Sequence, residues 1–225
     1  MATPSPQPAL AAGCCVVLMM KSPARSKRRL AERIGAPRAA QAAARLLDCA
    51  REDLAAWPGP TCAAPSAADE LGDAPPADAV VVQPGGNLGE RIAHVNGELL
   101  ALGFERQIFI GSDCAALDVA YLERAAAALA DHDAVLGPAL DGGVVLMGVR
   151  GRWPPLAHLP WSTSALFESL RAACAAAGTC AILAPRSDVD TLADLVALRA
   201  ELGADARPAR RALASWLAAH PDLDR

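Results

Sequence analysis

A chain of 225 residues with a formal net charge of −4 is sized for one α/β domain or two small ones. It carries no basic excess of the kind a counterion-releasing nucleic-acid binder needs. Hydrophobic residues reach 53% but aromatics only 4%, so the core must be built from Leu, Val, Ile and Ala. Seven Cys without zinc-type spacing imply reduced, mostly buried thiols and a cytoplasmic setting, and no stretch approaches the roughly 18 apolar residues of a membrane span.

Residues 1–12, rich in Pro, Ala and Ser, read as a disordered tail ahead of a single domain over 13–225. The apolar run Cys14–Met20 suits a central strand covered on both faces; Lys21 closes it and no basic region precedes it, so it does not read as a signal peptide. A basic loop follows, holding Lys21, Arg25, Lys27, Arg28, Arg29 and Arg33. Ala36–Leu54 is predicted as a helix with Pro37 in its first turn. Residues 55–78 hold five Pro and read as loop. A short β-prone run, 79–82, ends in the turn Gln83-Pro84-Gly85-Gly86-Asn87-Leu88-Gly89, and a helix spans 90–102.

The central stretch 108–149 reads as strand, acidic turn, helix, strand, Asp-Gly-Gly turn and strand. The first strand ends at Gly111-Ser112-Asp113, helix 121–130 follows, and the second strand, 134–136, leads to Asp141-Gly142-Gly143. Ser162 or Thr163 is placed to cap helix 164–177. A last strand, 180–183, feeds Arg186-Ser187-Asp188-Val189-Asp190-Thr191, where Asp190 or Thr191 caps a helix of about ten residues. A terminal helix covers 207–219. The alternation of strands and helices predicts an α/β fold: a three-layer α/β/α arrangement around a mostly parallel mixed sheet.

In such sheets ligands bind beyond the carboxyl ends of the strands. Three acidic turns (Asp113; Asp141; Asp188 with Asp190) and one basic loop all fall at predicted strand ends, and a metal-bridged diphosphate needs that mixture of signs. The basic loop lacks the glycines of a P-loop or a dinucleotide fingerprint, and a solvated charge cluster is the competing reading. Asp113 and the Asp188–Asp190 turn have helix capping as their competing reading, Asp141-Gly142 a hairpin turn, and the Gln83 turn an ordinary βα connection. As a base reader, Gln83 offers a paired donor and acceptor. No Ser-His-Asp or Cys-His arrangement is evident.

Five blocks in order carry a family resemblance. They are Lys21-Ser22-Pro23 with Lys27-Arg28-Arg29-Leu30; Gln83 with Gly86-Asn87-Leu88-Gly89-Glu90-Arg91; Gly111-Ser112-Asp113-Cys114; Gly137-Pro138-Ala139 with Asp141-Gly142-Gly143 and Gly148; and Trp161-Ser162-Thr163 with Asp188-Val189-Asp190-Thr191. Over roughly residues 14–200 the chain resembles the GT-A-fold, glycosyltransferase-like family called rSAM/selenodomain-associated transferase, or domain of unknown function 2064. That family is itself similar to the molybdenum-cofactor and phospholactate guanylyltransferases.

The resemblance implies a nucleotide-diphospho-sugar transferase (GT-A, Rossmann-like) fold using Mg²⁺ or Mn²⁺. Lys21, Lys27 and Arg29 would face phosphates; Gln83, Gly86, Asn87 and Gly89 would hold the nucleotide. Asp113 with Asp190 or Asp188 would bind metal. Gly142, Gly143, Trp161 and Thr163 would surround a small-molecule acceptor, with Asp141 as the candidate base. The implied donor is a nucleotide-diphosphate sugar. The alternatives are a nucleotidyltransferase that uses a nucleoside triphosphate and releases pyrophosphate, and a non-catalytic nucleotide-sugar-binding protein. A homo-oligomer is compatible with the sequence. Ala24-Arg25-Ser26, Arg28, Ala115, Val144 and Val145 depart from the family pattern. The last two imply an altered acceptor or reduced activity.

Overall fold

The computed structural model describes residues 13–224, so the predicted tail at 1–12 lies outside the described residues. Seven strands form one sheet in the order β3-β2-β1-β4-β6-β5-β7. They are β1 (Cys14–Met20), β2 (Thr61–Pro65), β3 (Ala79–Val80), β4 (Arg106–Ile110), β5 (Ala134–Pro138), β6 (Val144–Arg150) and β7 (Cys180–Ile182). Every pairing is parallel except those of β6, which runs antiparallel between β4 and β5. The helices are α1 (Arg28–Ile34), α2 (Ala36–Ala56), α3 (Leu88–Ala101), α4 (Val119–Asp131), α5 (Leu166–Ala177), α6 (Leu192–Glu201) and α7 (Pro208–Ala218).

Successive strand side chains point to opposite faces, so a strand covered on both sides reads as unbroken apolar sequence. On β1, Val16 and Leu18 meet Leu47 and Leu54 of α2 and Tyr121, Leu122 and Leu129 of α4. Cys15 and Val17 meet Ile92, Val95 and Leu99 of α3 and Leu166 and Leu170 of α5. This is the three-layer arrangement expected. A third cluster joins Leu30 of α1 and Leu46 of α2 to Val189, Leu195 and Leu198 around α6 and to Leu213 and Leu217 of α7. All seven cysteines are free, six of them buried.

Four local expectations change. The basic loop contains α1, whose seven residues are too short to show a period; Leu30 is its buried anchor. Strand β2 sits inside the stretch read as loop. Its Cys62, Ala63 and Ala64 are fully buried, so tertiary pairing with β1 overrides a weak strand propensity. Helix α5 begins at Leu166 with Ala165 at its N-cap and no side-chain cap, whereas Ser162 and Thr163 lie in the preceding turn. The helix after Asp113 is capped by Asp118, whose carboxylate accepts from the Tyr121 N–H, so Asp113 is not a cap.

Arg210 of α7 is completely buried. It pairs with Asp53 and with Glu52 of α2, and it donates to the carbonyls of Cys49, Ala115 and Leu117. Removing one partner of a buried pair leaves an uncompensated charge and costs about 3–5 kcal/mol, whereas an apolar replacement of both partners is often near neutral. Arg210→Ala is therefore expected to lower the unfolding free energy by about that amount in urea titrations, and Arg210→Met with Asp53→Leu to recover part of the loss. Equal stability of Arg210→Ala and the parent would contradict this role.

Candidate active site

The carboxyl edge of the parallel strands brings the acidic turns of Asp113, Asp141 and Asp188–Asp190 together by main-chain ties. After β7 the chain crosses back over the edge. Arg186 N–H donates to Pro138 O, Leu140 N–H donates to Arg186 O, and Val189 N–H donates to Asp113 O. Val189 is buried, so the residue between Asp188 and Asp190 is the anchor that fixes both. The Thr191 side chain then caps α6 in a capping box with Asp194, leaving Asp188 and Asp190 out of that capping role.

Three carboxylates meet here: Asp141, Asp188 and Asp190 have ligand oxygens within 4.8 Å of one another. Asp113 stands on the other side of Lys27. The Lys27 ammonium lies 2.8 Å from Asp113 Oδ1 and 3.3 Å from Asp190 Oδ1, and it also donates to the Val189 carbonyl. The Lys27 side chain is 2% exposed, against 45% for Asp113 and 43% for Asp190. Its backbone is left-handed, at φ 56°, a conformation that costs a non-glycine residue of order 1–3 kcal/mol and persists where its surroundings enforce it. Arg29 is 3.9 Å from Asp190 and 64% exposed.

Asp141 lies close to Asp188 and Asp190, and Asp113 is linked to Asp190 through the Lys27 ammonium. The donor set fits a hard divalent cation such as Mg²⁺ or Mn²⁺, which takes carboxylate oxygens, better than a soft one. Burial, then the charges of Asp141 and Asp190, push Asp188 up to about 6, with Lys27 pulling the other way.

Gln83 is buried at the ends of β1 and β2, where its amide donates to Met20 O and Ala64 O. Both donor hydrogens are engaged, so only Oε1 remains to read a ligand, not the donor–acceptor pair expected from sequence. Lys21, next to Met20, is exposed. Asn87 is held by structure: its side chain accepts from Glu90 N–H in a capping box and donates to Ala157 O. A Cβ on Gly89 would lie 2.4 Å from Leu156 O and 2.6 Å from Trp161 Nε1, so this glycine lets α3 seat against the Trp161 turn. Trp161 Nε1 donates to Leu156 O, and the Thr163 hydroxyl donates to Pro160 O.

Gly142 has φ 92°, and a Cβ there would fall 2.3 Å from Ser164 O; its own carbonyl accepts from Phe167 N–H. Asp141 Oδ1 accepts from Gly143 N–H at 2.8 Å. Sequence reasoning missed Glu70, which is 3% exposed and accepts from Ser22 N–H, Ser66 N–H, the Ser66 hydroxyl and Arg25. It pins the start of the basic loop to the segment after β2. A lone Glu in a Pro-rich stretch carries no pattern that could have marked it.

Comparisons with known proteins agree with this architecture. The family described as "Uncharacterized protein conserved in bacteria (DUF2064)" matches residues 40–163. A crystal structure from Desulfovibrio desulfuricans G20, provisionally described as a nucleotide-diphospho-sugar transferase, superposes with a TM-score of 0.80 at 24% identity, covering 94% of this chain and 96% of that one. A CMP:2-keto-3-deoxy-manno-octonic acid synthetase complexed with CTP gives 0.52 at 13% identity over 84% of this chain and 98% of that chain. A cytidylyltransferase from Leptospira borgpetersenii serovar Hardjo-bovis (strain JB197) gives 0.53 at 10% identity over 94% and 96%. The fold is thus shared with nucleotide-diphospho-sugar transferases and cytidylyltransferases. No curated protein matches the sequence.

Asp188 gives a pH prediction with two opposite signs. Its raised pKa means the folded metal-free protein holds this proton more tightly than the unfolded chain, so that stabilising contribution is present below about pH 4 and lost as pH rises through about 6. A metal needs the deprotonated carboxylate, so Mn²⁺ affinity should rise over the same interval and level off above it. Titrations of Mn²⁺ binding and thermal melts between pH 4.5 and 7.5 test both; parallel trends in affinity and metal-free stability would contradict the assignment.

Proposed function

The chain belongs to the bacterial DUF2064 family, and we propose that it is a metal-dependent transferase with a nucleotide-diphosphate donor, most simply transferring a sugar from a nucleotide sugar to a small-molecule acceptor. The observation that carries this reading is the convergence of Asp141, Asp188 and Asp190 beside Lys27 at the carboxyl edge of the sheet. The metal would be Mg²⁺ or Mn²⁺, held by those three carboxylates; when bound it supplies positive charge against the donor's phosphates.

The chain's own groups provide the rest. Lys21 and Arg29 are exposed, Arg29 at 3.9 Å from Asp190, and would reach phosphate oxygens on the basic side. Gln83, rigidly held by two main-chain carbonyls, presents Oε1 as an acceptor toward a base N–H. Gly86, Asn87 and Gly89 shape the turn beside it, with Asn87 acting through its helix cap. Gly142, against which the Ser164 backbone packs, and Gly143 would leave room for the acceptor, with Trp161 and Thr163 as its further surroundings. Asp141 has two roles open to it. Its grouping with Asp188 and Asp190 favours a ligand role over that of a general base.

Nucleotidyl transfer is the second reading. It is favoured by the length of the basic segment after β1, where Lys21, Arg28 and Arg29 are all exposed and could follow a triphosphate. One assay set separates the readings. The protein is incubated with nucleotide sugars and with nucleoside triphosphates, each with Mg²⁺ or Mn²⁺. Free nucleoside diphosphate supports sugar transfer, pyrophosphate supports nucleotidyl transfer, and binding without either product supports a non-catalytic nucleotide-sugar-binding protein. Asp190→Asn is expected to reduce kcat/KM by roughly 10²-fold or more, in the range seen when one stabilising electrostatic group is removed. Activity that survives both this change and chelation by EDTA would end the metal-dependent reading.

A further inference from the structure

Lys21 and Lys27 are the only lysines among 21 basic residues. A chain that otherwise uses arginine throughout has lysine at two positions, both in the segment that follows β1. The two differ in setting. Lys21 is exposed, whereas the Lys27 side chain is 2% exposed and its ammonium is closed in by oxygens of Asp113, Asp190 and Val189. A guanidinium is a planar fork; an ammonium is a compact point charge. A small cation surrounded by carboxylate and carbonyl oxygens is what a metal site looks like, and Asp190 is also one of the three carboxylates that lie within 4.8 Å of each other.

We propose that Lys27 is a built-in counter-ion of the acidic site, which a divalent metal displaces. The inference rests on the metal-dependent reading above. Without metal, Asp141, Asp188 and Asp190 crowd like charges together, and the Lys27 ammonium offsets them through Asp190. A divalent ion among the three carboxylates claims Asp190, and the ammonium beside it then becomes repulsive. Lys27 loses one of its two carboxylate partners and gains a like-charged neighbour at the same moment. The freed ammonium carries its charge to the donor's phosphates. Metal binding thereby arms the phosphate side, and an ordered binding sequence follows: metal first, donor second.

Acylation of the full-length protein with an amine-reactive acetylating reagent, read by peptide mass spectrometry, tests this with Mn²⁺ alone as the probe. Lys21 is the exposed internal reference. In metal-free protein Lys27 is expected to be protected. With Mn²⁺ bound, as shown independently by electron paramagnetic resonance, its acylation rate should rise by about tenfold or more while that of Lys21 is unchanged, and EDTA should reverse the effect. Lys27 still protected with Mn²⁺ bound, or reactive before metal is added, overturns the proposal and leaves the metal-dependent reading standing. No Mn²⁺ binding at all overturns both.

A variant gives a second arm. Lys27→Met removes the competing charge and should bind Mn²⁺ about three- to tenfold more tightly than the parent, with a larger metal-induced rise in Tm. Unchanged or weaker binding by a folded variant counts against the proposal. If the variant does not fold, the acylation series on the native chain decides.

Discussion

Like charges do not converge without something to offset them, and at the carboxyl edge of this sheet that constraint governs the site. Asp141 arrives from the end of β5, Asp188 and Asp190 from the segment that returns after β7, and Asp113 from the end of β4. The Lys27 ammonium lies between Asp113 and Asp190, and its other partner is the carbonyl of Val189. Val189 N–H in turn donates to Asp113 O. The ion pairs and the main-chain ties therefore close on the same four residues. A change at any one of them is felt by the others, because a half-satisfied polar network is worse than none.

The loop that carries Asp113 is also held from behind. Arg210 donates to the carbonyls of Ala115 and Leu117, and Arg207 donates to Leu117 O and pairs with Asp53. The C-terminal helix α7 therefore does more than close the third apolar cluster. It fixes the loop that presents Asp113 through the carbonyls of Ala115 and Leu117. Core stability and site geometry share one element here, so destabilising substitutions in α7 should reach the site through the loop 113–118.

Much of the fold was legible in the sequence because it rests on patterns that survive in one dimension. Cys14–Met20 is apolar throughout since both faces of β1 are covered, and Thr191 caps α6 with its partner three residues on. Strand β2 was not legible: Cys62, Ala63 and Ala64 have little strand preference of their own and pair because β1 lies beside them. Helix α1 is two turns anchored by one buried Leu30, too brief to declare a period. At the site, residue types were legible and partnerships were not. Asp113, Asp141, Asp188 and Asp190 could be marked as strand-end carboxylates, but which of them meet depends on where the chain crosses the edge after β7. Glu70 shows the limit, since its importance lies wholly in three partners brought to it by folding.

The proposed acceptor side is constrained by what is already engaged. Trp161 Nε1 is committed to Leu156 O, the Thr163 hydroxyl to Pro160 O, and the Gly142 carbonyl to Phe167 N–H. Those residues can shape a cavity but have few polar atoms left to read one. Val144 and Val145 add none, and Leu140, beside Asp141, is 71% exposed. Hydrogen bonding to an acceptor bound here, as proposed, would thus fall to carboxylate oxygens and to main-chain groups of the Asp-Gly-Gly turn, while the side chains around it would offer apolar contact. Discrimination by apolar contact alone is shallow, about 1–3 kcal/mol per methylene, whereas a site that hydrogen-bonds its substrate rejects analogues far more sharply. On the proposed reading the donor side, where Gln83 is held by two main-chain carbonyls, is therefore where the site would be selective.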